Sequence, residues 1–78
     1  MLQKRTRLVL ETVDRLVAEG AARVRPGEVA SELREAGQPL GIWEIRYEFS
    51  TLEENGLLRN DADSGAWERT GDRARKAG

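Results

Sequence analysis

Three stretches of the chain repeat their apolar residues at helical spacing, and a fourth does not. From about Gln3 to Glu19, Val9, Val13, Leu16 and Val17 return at helical intervals, with Leu10 widening the stripe. That pattern predicts an amphipathic helix, and Gly20 stops it. Arg23-Val24-Arg25 alternates polar–apolar–polar, which suits a brief strand. Pro26 then opens a second helix, because proline at the first helical position loses no needed hydrogen bond. Its inner side is Val29, Ala30 and Leu33, while Glu28, Ser31, Glu32, Arg34 and Glu35 face water. Gly37 ends it, and Gln38-Pro39-Leu40-Gly41 makes a tight connector with Leu40 turned inward.

The third stretch, Gly41 to Gly56, has two different faces. At about 100° per residue, Ile42, Ile45, Phe49 and Leu52 fall on one stripe. Trp43, Tyr47, Ser50, Thr51 and Glu54 fall on the opposite one, with Arg46 on the flank. Beyond the stop signal Asn55-Gly56, Leu57–Asn60 and Ala66–Thr70 are short strand candidates around a turn rich in Asp, Ser and Gly, a β-hairpin. The expected fold is therefore α+β, mostly α: three helices and a small antiparallel hairpin. Its expected core is Val9, Val13, Leu16, Val29, Leu33, Ile42, Ile45, Phe49, Leu52, Leu57 and Trp67. Residues 1–72 form the domain, and 73–78 a basic, flexible tail.

The order helix, short strand, helix, turn, helix, hairpin resembles a winged helix-turn-helix domain. The stretch Leu33 to Arg59 looks like the helix-turn-helix of bacterial winged-helix repressors. In these a recognition helix ends in Leu-Glu-x-x-Gly-Leu and runs into the wing, as Leu52-Glu53-Glu54-Asn55-Gly56-Leu57-Leu58-Arg59 does here. The close of the wing is similar too: an aromatic, Trp67, shortly before Thr70 and Gly71. The resemblance covers about residues 5–73. It implies sequence-specific binding of double-stranded DNA by a small bacterial transcription regulator in the cytoplasm, with the third helix in the major groove.

Composition narrows the chemistry. The chain has 78 residues, enough for one domain, and no cysteine and no histidine. Disulfides, thiolate catalysis, histidine-based acid–base catalysis and the usual zinc sites are thereby excluded. No serine has a candidate base, and Asp61 and Asp63 lack the following glutamate of a calcium loop. No enzyme, metal or cofactor is expected, and no apolar run is long enough to span a bilayer. Net charge is −1, which is lukewarm for a nucleic-acid binder. The charge is unevenly spread: both ends are basic, and the third helix carries Glu44, Glu48, Glu53 and Glu54 against Arg46.

As the resemblance implies, Arg46 would pair with a guanine, Trp43 or Tyr47 would touch a thymine methyl, and Tyr47 and Ser50 would reach phosphates. Arg5, Arg7, Arg34, Arg59 and Arg69 would contact backbone, with Lys4 beside them. Asp61 and Asp63, placed at the wing tip for turn formation, would hold that tip off DNA. Trp67 is expected to cover Phe49 and Leu52 in the core. A rival reading keeps the fold and changes the partner. Trp, Tyr and Arg are also the residues of protein interface hot spots. Glu44 and Glu48 would then form a polar rim around Trp43 and Tyr47, in a homodimer or with another protein.

Overall fold

A computed structural model describes residues 2–70. Three helices come first: α1, Lys4–Ala18; α2, Pro26–Glu35; and α3, Ile42–Glu54. A two-stranded antiparallel sheet follows, β1, Leu58–Asn60, and β2, Trp67–Arg69. These are the three helices and the hairpin that the residue pattern predicts, in the element order of the winged helix-turn-helix that the chain resembles.

The local signals act as their chemistry requires. Pro26 opens α2, and the Glu28 carboxylate accepts the Arg25 backbone N–H at 2.9 Å. Glu44 does the same for Gly41 at the start of α3, at 2.7 Å. Each carboxylate satisfies a donor that the helix start leaves open, and it complements the positive helix end. Gly56 ends α3 at φ +76°, with its own N–H bonded to Glu53 and the Leu57 N–H bonded back to Leu52. A side chain would strain that left-handed turn. α1 and α2 close in the same way at Gly20 and Gly37.

α3 packs against both other helices and against β1. The core joins Val9 and Val13 of α1, Val29 and Leu33 of α2, and Ile45, Phe49 and Leu52 of α3 to Leu58. Phe49 and Trp67 meet edge to face, with centroids 5.3 Å apart and planes at 72°. Trp67 thus covers α3 as its position predicted, although it stays half-buried.

The short strand predicted around Val24 is a single bridge. Val24 and Trp67 exchange both backbone hydrogen bonds at 2.8 Å, so β2 lies between Val24 and β1. Sheet register pairs Leu58 with Arg69, Arg59 with Glu68 and Asn60 with Trp67. In the wing turn the Asp61 carboxylate accepts the Asp63 N–H and the Ser64 hydroxyl.

Several core and surface positions differ from expectation. Ile42, expected inside, is 41% exposed, and Glu48, expected on the outer rim, is only 3% exposed. These two errors are one rotation. The face of α3 that α1 covers is turned toward Glu48 and away from Ile42, which sits in the first turn. Leu57 is half-buried while Leu58 is buried, because Leu58 begins the strand and takes its inward position. Leu16 is also only half-buried, packed at the edge of the core. Val24 and Ala66, left out of the expected core, are fully or nearly fully buried.

Candidate nucleic-acid interface

The inner face of α3 is fixed by Ile45, Glu48, Phe49 and Leu52, which leaves its outer face to solvent. Trp43 is 76% exposed and Tyr47 65% exposed, one helical turn apart. Arg46 and Ser50 are exposed beside them. The Arg46 guanidinium lies over the Trp43 ring, 5.3 Å from its centroid. That is cation–π distance, so the indole limits where the guanidinium points. The four residues expected to face a groove therefore share one exposed surface.

The flanking arginines divide into two groups. Arg5 gives its Nε to Glu48 at 2.6 Å and its Nη1 to Glu44 at 3.2 Å. The hydrogen bond to Glu48 is the main reason why the Arg5 guanidinium holds its proton even more tightly than usual. The second oxygen of Glu48 accepts the buried Thr6 hydroxyl. Arg59 is bound to Glu68 across the hairpin, and Arg23 reaches both Glu68 and Asp61. Arg69 is 7% exposed; its Nε meets Asp14 at 2.6 Å, and its Nη1 donates to the Leu57 and Thr70 carbonyls. Arg5, Arg59 and Arg69, all expected on a phosphate backbone, thus already hold carboxylates of their own chain. Arg69 is a structural strut between α1 and the wing.

Arg7, Arg34 and Arg46 are exposed and have no carboxylate within 4.0 Å among the described residues. The basic tail expected at 73–78 lies outside the described residues.

One residue that sequence reasoning passed over belongs with them. Arg25 was read only as the flank of a strand. It caps the start of α2, lacks a carboxylate partner among the described residues, and donates to the Ser64 carbonyl at 3.3 Å. Its signal in the sequence is its place directly before a helix-opening proline. Arg25 and Arg46 line one cleft of about 340 Å³ with Pro26, Asn60, Gly65 and Trp67. On the other flank of α3 a groove of about 450 Å³ is lined by Gln3, Arg5, Thr6, Tyr47, Glu48 and Thr51. The two flanks differ in charge: two cations and no acid on the wing side, one cation and one carboxylate on the α1 side.

Asp61 is held below the usual carboxylate range, first by the Ser64 hydroxyl, then by the Asp63 N–H, and also by the charge of Arg23. Its charge is directed into its own turn. No described helix is long and apolar enough to cross a membrane. Comparisons of the chain with family models, curated proteins and solved structures find no match, so its own geometry carries the functional argument.

Proposed function

We propose that this chain binds double-stranded DNA sequence-specifically, as a small transcription regulator of the bacterial winged-helix type, with α3 as its reading helix. The observation that carries the reading is the outer face of α3. Trp43, Arg46, Tyr47 and Ser50 are exposed together on a helix whose opposite face is locked into the core. A helix so anchored presents its outer residues at fixed positions, as groove reading requires. Arg7 and Arg34 supply additional backbone contacts from α1 and α2. With a net charge of −1, non-specific affinity is weak, and a dimer on paired half-sites would raise it.

A second reading is favoured by a specific observation. The two most exposed large apolar residues are aromatic neighbours, and three of the expected phosphate-binding arginines are held by acids. On that reading Trp43 and Tyr47 anchor a protein partner, with Glu44 at the rim; Glu48 is buried and drops out of it.

Selection of duplexes from a random-sequence pool, followed by anisotropy titrations across salt concentrations, separates the two. The DNA reading expects an enriched sequence and affinity that falls steeply with salt. No enrichment and no binding at low salt would refute it. Arg46→Ala is then expected to cost about 1–3 kcal/mol on the selected duplex.

A further inference from the structure

We infer that the cleft between the start of α2, the middle of α3 and the wing turn seats one phosphodiester of the bound DNA, gripped between Arg25 and Arg46. The inference rests on the DNA-binding reading and adds to it a ligand group, a place and a residue. Three observations carry it. First, Arg25 and Arg46 come from different elements yet open on one cleft, and no acidic residue lines that cleft. Elsewhere on the described surface Arg5, Arg15, Arg23 and Arg59 are each matched by a carboxylate, while Arg7 and Arg34, also unmatched, do not line this cleft. Two unmatched guanidinium groups facing one space favour an anion there, since like charges gain by sharing a counter-charge.

Second, both guanidinium groups are restrained from outside the cleft. The Ser64 carbonyl holds Arg25 from the wing turn, and the Trp43 ring lies under Arg46. Arginine presents a rigid fork to phosphate oxygens, and restraint lowers the entropy lost on binding. Third, the nearby acids are turned elsewhere. Glu28 binds the Arg25 backbone N–H, and Asp61 faces Arg23 in the space lined by Arg23, Arg59, Asp63 and Glu68. Asn60, whose amide donates to the Ala66 carbonyl at 3.5 Å, adds a polar wall, and at about 340 Å³ the cleft admits a phosphate with its water.

This assignment moves Arg46 from a base edge to the backbone, and the two roles differ in their signature. An arginine that reads a base loses discrimination when removed. One that neutralises a phosphate loses affinity on every sequence and lowers the salt slope. The test compares Arg25→Ala, Arg25→Lys, Arg46→Ala and Arg15→Ala on the selected duplex and on a shuffled duplex. Arg15 serves as the charge-matched control, because it pairs with Glu32 away from the cleft. Among the described residues the Arg25 side chain makes one hydrogen bond, an exposed one, so its variants should fold, which circular dichroism checks.

Arg25→Ala and Arg46→Ala are each expected to flatten the slope of log affinity against log salt by about 0.9. That equals roughly an eightfold loss at about 0.1 M salt, the same on both duplexes. Arg25→Lys should keep the slope. If wild type binds but Arg25→Ala keeps the slope of Arg15→Ala, the seat is overturned and the DNA reading stands. A loss for Arg46→Ala confined to the selected duplex also overturns the two-arginine seat. Absence of duplex binding by wild type at low salt removes both claims together.

Discussion

Replacing the buried carboxylate of Glu48 should preserve or lower stability depending on the side chain that replaces it, although each replacement removes the same charge. Glu48 is 3% exposed, while the side chain of its partner Arg5 is 43% exposed. The acid therefore bears most of the desolvation cost, while solvent weakens the attraction that offsets it. Glu48→Met has similar length and fills the site. Burying that side chain contributes about 1.5–3 kcal/mol, and no buried charge remains to be compensated. The Thr6 hydroxyl loses its acceptor and costs about 1 kcal/mol unless it turns to its own helix backbone. The sum places Glu48→Met within about 1 kcal/mol of wild type, or above it. Glu48→Ala leaves the same hydroxyl unpaired and a void besides, and should lose about 2–4 kcal/mol.

Urea denaturation followed by far-ultraviolet circular dichroism measures both variants. An unchanged m value would confirm that unfolding exposes as much surface in the variants as in wild type. If Glu48→Met proves as destabilised as Glu48→Ala, the ion pair supplies net stability and this reasoning is wrong. The same substitution leaves Arg5, beside Tyr47, with the exposed Glu44 as its one carboxylate among the described residues, a pairing that a phosphate can displace. On the DNA-binding reading it should steepen the salt dependence by about one phosphate contact, a slope change of about 0.9.

Trp43→Ala and Tyr47→Ala should leave the denaturation midpoint nearly unmoved, within about 0.5 kcal/mol, because both side chains are exposed. Each should nevertheless weaken duplex binding in an anisotropy titration; a large stability loss would show that they pack rather than present. Gly56→Ala should destabilise by about 1–2 kcal/mol in the same urea assay, since its φ of +76° penalises a side chain. Arg69→Ala should cost about 1–3 kcal/mol, because two carbonyls and Asp14 lose a shared donor. Asp61 titrates below its ordinary value when folded. Its contribution to the wing turn is therefore complete above the unfolded value near 3.9 and fades as pH falls toward the lower folded value. The protection factor of the Asp63 amide, the intrinsic exchange rate at each pH divided by the observed one, should fall in acid below that range and stay flat between about pH 5 and 8.

The fold was legible because its punctuation is strong. Pro26, Gly20, Gly37 and Asn55-Gly56 bound three periodic segments, and Leu52 to Arg59 carries the helix-to-wing passage in one run of residues. The orientation of α3 was legible only to within part of a turn. A helical wheel counts Ile42 as inner because it is apolar, and Glu48 as outer because it is charged. The true inner face depends on where α1 lies. Thr6 and Arg5 give Glu48 hydrogen-bond partners from 42 and 43 residues away, a match that no local window contains. The outer face, Trp43 with Arg46, Tyr47 and Ser50, is legible because its residues lie opposite the apolar stripe of the same helix and stay exposed. The phosphate arginines did not come through as a group. Arginine is long enough to reach distant acids, so whether a given one is free depends on tertiary pairing: Asp14 for Arg69, Glu68 for Arg59. Arg25 is not legible for the converse reason: the arginine that shares its cleft lies on another helix.

The backbone bridge between Val24 and Trp67 makes the wing a joint product of both halves of the chain. An isolated two-stranded ribbon of three residues per strand is marginal in water. Here its second strand is clasped on the far edge by a residue from the α1–α2 linker, while its tryptophan rests on Phe49. Cutting the chain after residue 25 should therefore unravel the C-terminal hairpin as well as remove the first helix. A fragment that keeps only α2, α3 and the hairpin would lose this clasp, and the domain should melt as a single cooperative unit.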